Sequence, residues 1–316
     1  MQHHELTPAT KPTFYFVGVT TTKSSIMTVF PAWAQHLGLG DCPIRGIDCK
    51  WHDDPEVYRN VVSFLKNDEL SLGALVTTHK LDLLAAARDL FDELGPYAQQ
   101  LGEVSCISKR DGKLRGHAKD PITAGLSYDA VVAQRALQPG AEVCLLGAGG
   151  SSLALTIHLQ NLSPQQRPAK IHVTNRSSKR LEEMKAVHAK MDCPAPVEYY
   201  LCPQAEENDK VVNQLTPGSM VVNATGLGKD APGSPLTDAA VFPAGGIAWE
   251  FNYRGDLLFL DQANVQEKGQ NLLIEDGWVY FIHGWTRVVA EVFDIDIPTA
   301  GPEFDKLCDI AASVRR

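Results

Sequence analysis

Residues 142–155 read EVCLLGAGGSSLAL, and this stretch decides the fold predicted for the chain. Its residues 143–146 form a short apolar run that is typical of a buried parallel strand. The run leads directly into a turn rich in glycine, and an apolar segment of helical character follows the turn. A strand, a glycine turn and a helix in this order are the context in which a dinucleotide-binding motif is expected.

The glycine turn would bring backbone N–H groups against a pyrophosphate. Glycines permit a tight turn and a close approach of the phosphates, and the start of the helix adds unpaired N–H groups and the positive end of its dipole. The pattern is GxGGxS, so Ser152 stands where the usual motif has its third glycine. An ordinary connecting turn is the alternative interpretation, because short glycine motifs are common. The predicted cofactor contacts here are Gly147, Ala148, Gly149, Gly150 and Ser151.

The next predicted strand, residues 169–174, ends at Asn175-Arg176-Ser177. A site for NAD has an acidic residue near this point, which binds the 2′-hydroxyl of the ribose. The sequence has no acid here, and Arg176 and Arg180 can instead bind a 2′-phosphate through charge-assisted hydrogen bonds. Arg180 could also be an exposed cation in the first turn of a helix, although cations are mildly unfavourable there. The sequence therefore predicts NADP as the cofactor.

Length and composition restrict the classes of protein that the chain can be. Its 316 residues suffice for about two domains. A net charge of -9 argues against nucleic acid as a partner, and no apolar run reaches the ~18 residues of a membrane span. The seven cysteines form no CxxC pair, which indicates reduced thiols and a cytoplasmic location. Residues 1–11 lack the apolar core of a signal peptide, and His3 and His4 are expected at a solvated end.

Strands and helices alternate along the first third of the chain. The predicted strands are residues 13–19, 43–49, 72–76, 103–109 and 113–117, and the predicted helices are residues 26–37, 55–66, 81–94, 96–101 and 122–137. Ligands of open α/β sheets bind beyond the carboxyl ends of the strands. Residues 20–25, 77–80 and 119–120 should therefore converge on one cleft. The alternatives are that Ser24 or Ser25 caps a helix, that Lys80 is an exposed first-turn lysine, and that Asp120 caps a helix before Pro121.

The same alternation resumes after the glycine turn. The predicted strands are residues 196–201, 219–222, 246–252 and 271–274, and the predicted helices are residues 257–268, 278–293 and 301–314. We therefore predict an α/β protein with two α/β domains and a cleft between them. A substrate-binding domain would comprise residues 1–120 and 285–316, and a Rossmann NADP-binding domain would comprise residues 121–284.

The order of these motifs resembles the shikimate dehydrogenase family over nearly the whole chain. The stretches that carry the resemblance are residues 18–25, 76–80 (VTTHK), 116–120 (GHAKD), 147–150 (GAGG), 175–177 (NRS) and 223–225 (NAT). The resemblance implies an NADP-dependent alcohol dehydrogenase in which Lys80 and Asp120 are the catalytic pair. It also implies that Arg176 and Arg180 bind the 2′-phosphate. It further implies that residues 225–228 lie near the nicotinamide, and the predicted cofactor contacts in this part of the chain are Asn223, Ala224, Thr225 and Gly228.

The chain departs from this family at positions that would bind shikimate. The second serine of the family's serine loop falls on Ile26, while Ser24 matches the first, and the stretch before Lys80 is one residue short and lacks a proline. The family's two asparagines, its tyrosine and its glutamine fall on Ser105, Ala118, Phe251 and a position on or near Gly284. Because the Lys and the Asp are present while these contacts differ, we expect the same type of chemistry on a different substrate.

The expected substrate is a small polar hydroxy acid or a cyclic polyol. Lys80 would exchange the proton of the reacting hydroxyl and Asp120 would orient it, with no need for a metal because the cofactor supplies the hydride chemistry. Trp278, Tyr280 and Trp285 could line the site or pack in the core. The predicted substrate contacts are Thr20, Thr22, Ser24, Thr77, Ser105, Phe251 and Tyr280.

Three other functions remain open from the sequence. The chain could be an authentic shikimate or quinate dehydrogenase, a ligand sensor that binds NADP without catalysis, or a two-domain enzyme of folate one-carbon metabolism. The presence of Lys80 and Asp120 argues against the sensor, and the folate enzyme has no specific residues in its favour. We expect a monomer or a homodimer without nucleic-acid or membrane partners.

Overall fold

The computed structural model describes residue 2, residues 5–229 and residues 231–314. His3 and His4, which are predicted to lie at a solvated end, fall outside the described residues. By its internal contacts the chain divides into two compact units. The first unit contains the residues up to Lys119 and those from Ile282 onward, and the second contains Asp120–Phe281. Among the described helices, none combines the length and the apolar character that crossing a membrane requires.

The described residues form strands and helices that largely follow the sequence pattern. The strands are β1 (Thr13–Gly18), β2 (Ile44–Asp48), β3 (Ser71–Val76), β4 (Glu93–Leu94), β5 (Cys106–Arg110), β6 (Lys113–His117), β7 (Val143–Leu146), β8 (Ile171–Asn175), β9 (Val197–Leu201), β10 (Met220–Asn223), β11 (Ile247–Glu250) and β12 (Leu273–Glu275). The helices are α1 (Ile26–His36), α2 (Pro55–Asn67), α3 (Lys80–Ala87), α4 (Pro96–Leu101), α5 (Asp120–Gln134), α6 (Gly150–Asn161), α7 (Ser178–His188), α8 (Ala205–Val212), α9 (Leu258–Gln270), α10 (Trp278–Phe293) and α11 (Pro302–Val314).

The first unit is built on a mixed sheet with the strand order β2-β1-β3-β5-β6-β4. Strands β1, β2 and β3 are parallel, so the loops that follow them emerge at one edge. Aromatic side chains cover the centre of this sheet, where the ring of Trp285 lies 5.0 Å from that of Phe16 and 6.2 Å from that of Phe14. Trp285 therefore packs in the core, which is one of the two roles that the sequence allowed.

The second unit is built on a parallel sheet with the strand order β12-β11-β10-β7-β8-β9. Strands β7, β10 and β11 are buried on both faces. Alternate residues of β7 join different apolar clusters, with Val143 and Leu145 on one face and Cys144 and Leu146 on the other. The strand order reverses between β7 and β10, which is the position at which such sheets bind dinucleotides. The predicted α/β class with a Rossmann domain is confirmed.

The predicted helix at residues 81–94 is wrong in its second half. Helix α3 ends at Ala87, and a short 3-10 turn and strand β4 follow it. The backbone N–H groups of Asp92 and Gly95 donate to Leu114 and Gly116 of β6, 2.9 Å away in each case. These groups are therefore used by a neighbouring strand rather than by a helix, and a local pattern cannot show this.

Two local signals were also misread. Helix α8 was not predicted, although Gln204 and Glu207 form a capping box at its start. Ser25 does precede α1, but its side chain makes no capping hydrogen bond. Helix α5 begins at Asp120, two residues before the predicted start.

Candidate functional site

The glycine turn of the second unit brings two loops together at the point where the strand order reverses. Gly147 follows β7 with a φ of 107°, and its N–H donates to the carbonyl oxygen of Thr174 at 2.9 Å. A Cβ atom at this position would lie 3.0 Å from the carbonyl oxygen of Ala224 and 3.1 Å from the Thr225 side chain. Glycine is thus required both by the backbone conformation and by the contact with the loop after β10.

The start of α6 has the features of an anion site. Gly149 and Gly150 are exposed, and a Cβ atom at Gly149 would meet no atom of the described residues within 4 Å. The residue before the helix, Gly149, provides no side-chain cap. The N–H groups of the first turn and the positive end of the helix dipole therefore face accessible space.

Ser152 has a structural role in this turn. It is fully buried, and its Oγ donates to the carbonyl oxygen of Gly147 at 2.5 Å. This bond closes the turn from inside, so the serine replaces the third glycine of the usual motif without reaching the space where phosphates would bind. Ser151 is only partly buried, and its predicted cofactor contact stays a prediction.

The loop after β8 is tied to the glycine turn by Asn175. The Asn175 Oδ1 accepts from the N–H of Ala148 at 3.4 Å, and its Nδ2 donates to the carbonyl oxygen of Ser177 at 3.1 Å. Arg176 is exposed and takes part in none of the ion pairs between described residues, whereas Arg180 pairs with Glu183 at 2.9 Å. An exposed pair of this kind is weak, so Arg180 can exchange it for a phosphate.

A buried hydrogen-bond network holds the loop after β10. Asn223 Oδ1 accepts from the N–H and the Oγ1 of Thr225, at 3.0 Å and 2.7 Å. On its other side, Asn223 Nδ2 donates to Glu250 Oε2 at 2.5 Å. The Glu250 Oε1 accepts from both the N–H and the Nδ2 of Asn252 at 2.7 Å, and that Nδ2 also reaches the carbonyl oxygen of Thr225 at 3.0 Å.

Glu250 and Asn252 are functional candidates that the sequence analysis missed. Glu250 is fully buried, and this burial raises its pKa to about 7, although hydrogen bonds from Asn252 and Asn223 act in the opposite direction. The available signal was a carboxylate inside the apolar stretch GIAWEFN, since a buried charge requires partners. The partner amide of Asn223 is 27 residues away in sequence.

In the first unit, the loop after β1 is anchored by a carboxylate at the end of β2. Asp48 Oδ1 accepts from the N–H and the Oγ1 of Thr21, at 2.8 Å and 2.7 Å. The neighbouring side chains of Thr20 and Thr22 are exposed and that of Ser24 is partly buried. The loop therefore presents three of the predicted substrate contacts, while Thr21 secures it from within.

Lys80 follows the loop after β3, which emerges at the same edge of this sheet. It is the first residue of α3, it is partly buried, and its carbonyl oxygen accepts from the N–H of Val104 at 3.2 Å. The preceding His79 is buried beside Tyr58, whose hydroxyl is 3.2 Å from Nδ1, and burial lowers the pKa of this imidazole. His79 is therefore neutral at pH 7. Thr77 is tied to β1 by its N–H, which donates to Val17 at 3.0 Å.

Ser105 supports the stretch that leads to Asp120. Its buried Oγ accepts from the N–H of Lys119 at 2.7 Å, and the Lys119 ammonium is 2.7 Å from Glu291 Oε2. Burial alone would raise the pKa of Glu291, but the hydrogen bond from Lys119 and the nearby cationic groups hold it below its ordinary value. Ser105 retains a hydroxyl proton to donate, so its predicted substrate contact stays a prediction. Asp120 itself begins α5 in the second unit.

Phe251 and Tyr280 pack against each other in the second unit. Their rings are stacked at 4.7 Å with an interplanar angle of 10°, and Trp249 meets Phe251 edge-on at 4.7 Å. Phe251 is only 8% exposed and belongs to the apolar core. These contacts favour a packing role for Phe251, whereas Tyr280 is partly exposed.

The described residues contain no group of three His, Cys, Asp or Glu side chains suited to a metal ion.

We expect Asp48→Ala to loosen the loop after β1, because the N–H and the hydroxyl of Thr21 both lose their acceptor. Hydrogen bonds to charged groups contribute about 1.5–3 kcal/mol, so amide hydrogen exchange at Thr21 should accelerate roughly tenfold or more. Asp41→Ala is a suitable control, since that carboxylate is exposed and pairs with Lys11 at the surface. Unchanged exchange at Thr21 in Asp48→Ala would show that the anchor is not needed.

Comparison with curated proteins identifies related sequences. The chain is 31% identical over 217 residues to a protein named shikimate dehydrogenase (NADP(+)) from Symbiobacterium thermophilum, a match that covers 67% of each chain. It is 30% identical over 202 residues to the protein of the same name from Lactococcus lactis, which covers 63% of this chain and 65% of the relative. The chain thus matches about two thirds of the length of these relatives. No model of a known protein family matches it.

Solved structures share the fold along nearly the whole chain. A quinate dehydrogenase from Corynebacterium glutamicum in complex with NAD superposes with a TM-score of 0.72 at 18% identity, covering 96% of this chain and 99% of the other. The shikimate 5-dehydrogenase from Thermus thermophilus in complex with NADP(H) and shikimate gives 0.67 at 19% identity, with the same coverage. A 5-ketofructose reductase from Gluconobacter gives 0.66 at 17% identity, again with this coverage. At such low identities the similarity concerns the fold.

Proposed function

The chain belongs to the shikimate dehydrogenase family of NADP-dependent alcohol dehydrogenases, as its motifs predicted, and from this premise we propose its reaction and its class of substrate. The reaction is reversible hydride transfer between NADP and an alcohol carbon of a small polar hydroxy acid or cyclic polyol. The substrate is a compound other than shikimate.

The loop after β8 is the observation that carries the cofactor choice. Asn175 joins this loop to the exposed start of α6, so a 2′-phosphate on a nucleotide whose pyrophosphate lies at Gly149 and Gly150 would come to Arg176 and Ser177. A guanidinium and a hydroxyl offer hydrogen-bond donors to that phosphate, while no carboxylate stands in this loop to repel it. Thr225 and Gly228 would then lie on the nicotinamide side of the strand-order reversal.

Lys80 and Asp120 carry the proposed proton transfer. Oxidation of an alcohol removes a hydride from carbon and a proton from oxygen, and a base must take up that proton. We assign the exchange of this proton to the Lys80 amine and the orientation of the hydroxyl to the Asp120 carboxylate. The position of Lys80 at the start of α3 supports this role, because a partly buried residue on a regular helix is held more rigidly than one on a loop.

The substrate proposal rests on the side chains that replace the family's shikimate contacts. Ala118 and Phe251 are buried and offer no hydrogen-bonding side chain, and Ser105 already accepts a backbone hydrogen bond. A pocket that lacks the donors and acceptors for a given hydroxyl loses much of its preference for the compound that carries it. The existence of a 5-ketofructose reductase and a quinate dehydrogenase with this fold supports a change of substrate.

Shikimate itself is the second candidate, because both curated relatives described above are named shikimate dehydrogenase.

A screen of the purified protein for cofactor reduction separates these candidates. The panel should contain shikimate, quinate, other cyclic polyols and linear hydroxy acids, each with NADP and with NAD. We expect NADP to be preferred and another compound to exceed shikimate by at least about tenfold in kcat/KM, which corresponds to about 1.4 kcal/mol of transition-state binding. If shikimate is the best substrate, the substrate proposal fails. If NADPH binds and no compound reacts, the chain is a sensor rather than an enzyme.

Arg176→Ala should weaken NADP selectively. Loss of a charge-assisted hydrogen bond to the 2′-phosphate costs about 1.5–3 kcal/mol, so the dissociation constant of NADPH should rise roughly tenfold to a hundredfold. The dissociation constant of NADH, which lacks this phosphate, should stay within about twofold. Both can be measured by quenching of protein fluorescence.

The control for Arg176→Ala is Lys179→Ala, which removes an equally exposed cation a few residues further along that lies 3.9 Å from Glu183. Only a small change is expected there, because exposed charges are screened by salt. Equal weakening of NADPH and NADH by Arg176→Ala would refute the assignment.

Lys80→Ala should abolish most of the turnover. General acid–base groups contribute typically 10²–10⁴-fold, so kcat with the substrate found in the screen should fall by about that factor. NADPH affinity should remain within about twofold, because the proposed nucleotide contacts belong to the second unit. Lys66→Ala, which removes a partly exposed lysine paired with Asp92, is the matched control. Retention of most of the turnover by Lys80→Ala would exclude Lys80 as the acid–base group.

A further inference from the structure

The buried carboxyl group of Glu250 has no role in the reaction described so far. We propose that Glu250 is a positioning residue that orders the turn at Asn223–Thr225 when it is ionised, and that uptake of one proton on its carboxyl releases this turn. The inference rests on the proposed function only in placing the turn beside the nicotinamide of NADP.

The carboxyl group is surrounded by donors. Its Oε2 accepts from Asn223 Nδ2 at 2.5 Å, and its Oε1 accepts from the N–H and the Nδ2 of Asn252 at 2.7 Å. All three contacts are N–H groups that point at oxygen, which is the arrangement that an ionised carboxylate requires. Strands β10 and β11 are in register at Asn223 and Glu250, so the pair is set by the sheet itself.

Asn223 links the protonation state of Glu250 to the conformation of the Asn223–Thr225 turn. Its amide nitrogen is used by Glu250, which leaves its Oδ1 for the N–H and the Oγ1 of Thr225. Asn252 acts on the same turn from the other side, since its Nδ2 reaches the carbonyl oxygen of Thr225. Both backbone polar groups of Thr225 are therefore held by side chains that Glu250 orients.

Protonation would disturb this chain of hydrogen bonds. A protonated carboxyl carries an O–H donor, and two donors cannot face each other across the contact between Glu250 and Asn223. If the Asn223 amide rotates to offer its oxygen to Glu250, its NH₂ group faces the N–H of Thr225, which loses its acceptor. Thr225 is only partly buried, so the turn would open and let water accept from this N–H in place of Asn223.

The proton equilibrium lies in the physiological range. Burial disfavours the charged carboxylate, the three N–H donors favour it, and the pKa of Glu250 lies at about 7 as a result. Among the described residues, Lys229 in the loop after β10 also favours the ionised form. On β12, Glu275 pairs in register with Trp249, the residue before Glu250. Burial raises the pKa of Glu275, a hydrogen bond from Gln134 acts in the opposite direction, and the charge of Asp276 raises it further.

The same turn contacts the glycine turn. The space next to Gly147 is limited by the Ala224 carbonyl and the Thr225 side chain, at 3.0 Å and 3.1 Å from the position of a Cβ atom. An opened Asn223–Thr225 turn would therefore no longer pack against the glycine turn at Gly147. We expect the ionised form to bind NADP(H) more tightly than the protonated form.

Titration of NADPH binding in the wild type and in Glu250→Gln tests the proposal. The glutamine keeps the volume of the side chain and replaces one acceptor with a permanent NH₂ donor, so it imitates the protonated state at every pH. In the wild type, NADPH affinity should rise about tenfold as the pH increases from 6 to 8, with a midpoint near 7. In Glu250→Gln the affinity should stay low across this range. The 2′-phosphate titrates equally in both proteins, so their difference isolates Glu250.

A double variant that reverses the donor and acceptor between residues 223 and 250 should restore the affinity for NADPH. In the double variant Glu250→Gln with Asn223→Asp, the amide of the introduced glutamine can donate to one oxygen of the introduced aspartate, while the other oxygen accepts from Thr225. NADPH affinity should then return to within about threefold of the wild-type value measured at pH 8, and the midpoint near 7 should be absent. A purely structural role of Glu250 would not predict this recovery, because the double variant carries two substitutions.

Asp209→Asn is the matched control. Asp209 is a buried carboxylate of the second unit that accepts from the N–H of Thr237 at 3.0 Å and from its Oγ1 at 2.5 Å. The substitution is of the same kind, but Asp209 holds a different turn. NADPH affinity and its pH dependence should remain those of the wild type.

The outcomes distinguish this inference from the proposed function. If the wild type does not bind NADPH at any pH, the proposed function fails. If the wild type binds NADPH and Glu250→Gln shows the same affinity and the same pH dependence, Glu250 has no positioning role. If Glu250→Gln is weak but the double variant is not rescued, the direction of the hydrogen bond is not the cause, and the inference is wrong.

The free energy of unfolding should depend on pH in the opposite direction to NADPH affinity, so it tests the titration of Glu250 separately. Because the pKa of Glu250 is raised above its ordinary 4.5, the folded protein binds this proton more tightly than the unfolded chain. The contribution of Glu250 to the free energy of unfolding should therefore fall as the pH rises from about 4.5 to about 7, and this slope should be absent in Glu250→Gln. A wild-type slope equal to that of the variant would show that the carboxyl does not titrate in this range.

Discussion

The close approach of two backbone segments at Gly147 is the constraint on which the second unit depends. A parallel sheet whose strand order reverses leaves an open crevice between the loops after β7 and β10. Here the crevice closes at its base, where a Cβ atom at Gly147 would lie 3.0 Å from the Ala224 carbonyl. Only a residue without a side chain permits both this contact and a φ of 107°. The exposed start of α6 is a consequence, because the turn must be completed before the helix begins.

Carboxylates that hold threonine turns recur in both units. Asp48 accepts from the N–H and the hydroxyl of Thr21, and Asp209 accepts from the same two groups of Thr237. Glu250 differs because Asn223 stands between it and Thr225. Glu250 is also fully buried, and this burial raises its pKa to about 7, where its two protonation states are balanced. The Asn223 amide has a donor end and an acceptor end, so in the proposed switch the protonation of Glu250 sets which end faces Thr225.

The elements that the sequence predicted well are those whose pattern is local. The apolar run of β7, the glycine turn and the start of α6 follow each other without interruption, and the structure places them as expected. The end of α3 at Ala87 was not predictable in this way, since strand β6 takes the N–H groups of Asp92 and Gly95. The role of Glu250 was hidden for the same reason, because its hydrogen-bond partner on β10 is remote in sequence.

The candidate site shows a similar division between local and distant information. The glycine turn and Arg176 were predicted as a phosphate site because such a site requires backbone N–H groups and a cation within one βαβ unit. Ser105 matched a family position in sequence, but its hydroxyl oxygen accepts from the Lys119 N–H, a partner that only the fold brings near. Phe251 likewise matched a substrate position and lies in a stack with Tyr280.

These two positions suggest how a family can change its substrate while it keeps its chemistry. In the proposed reaction, the nucleotide, the amine of Lys80 and the carboxylate of Asp120 would move a hydride and a proton without contacts to the rest of the substrate. Contacts that select the substrate can therefore be replaced without loss of the reaction, provided that the new side chains are satisfied within the protein. Ser105 and Phe251 meet that condition, since one bonds to the backbone and the other packs in an apolar core. Substitutions of this kind remove a preference at little cost in stability, because no polar group is left buried without a partner.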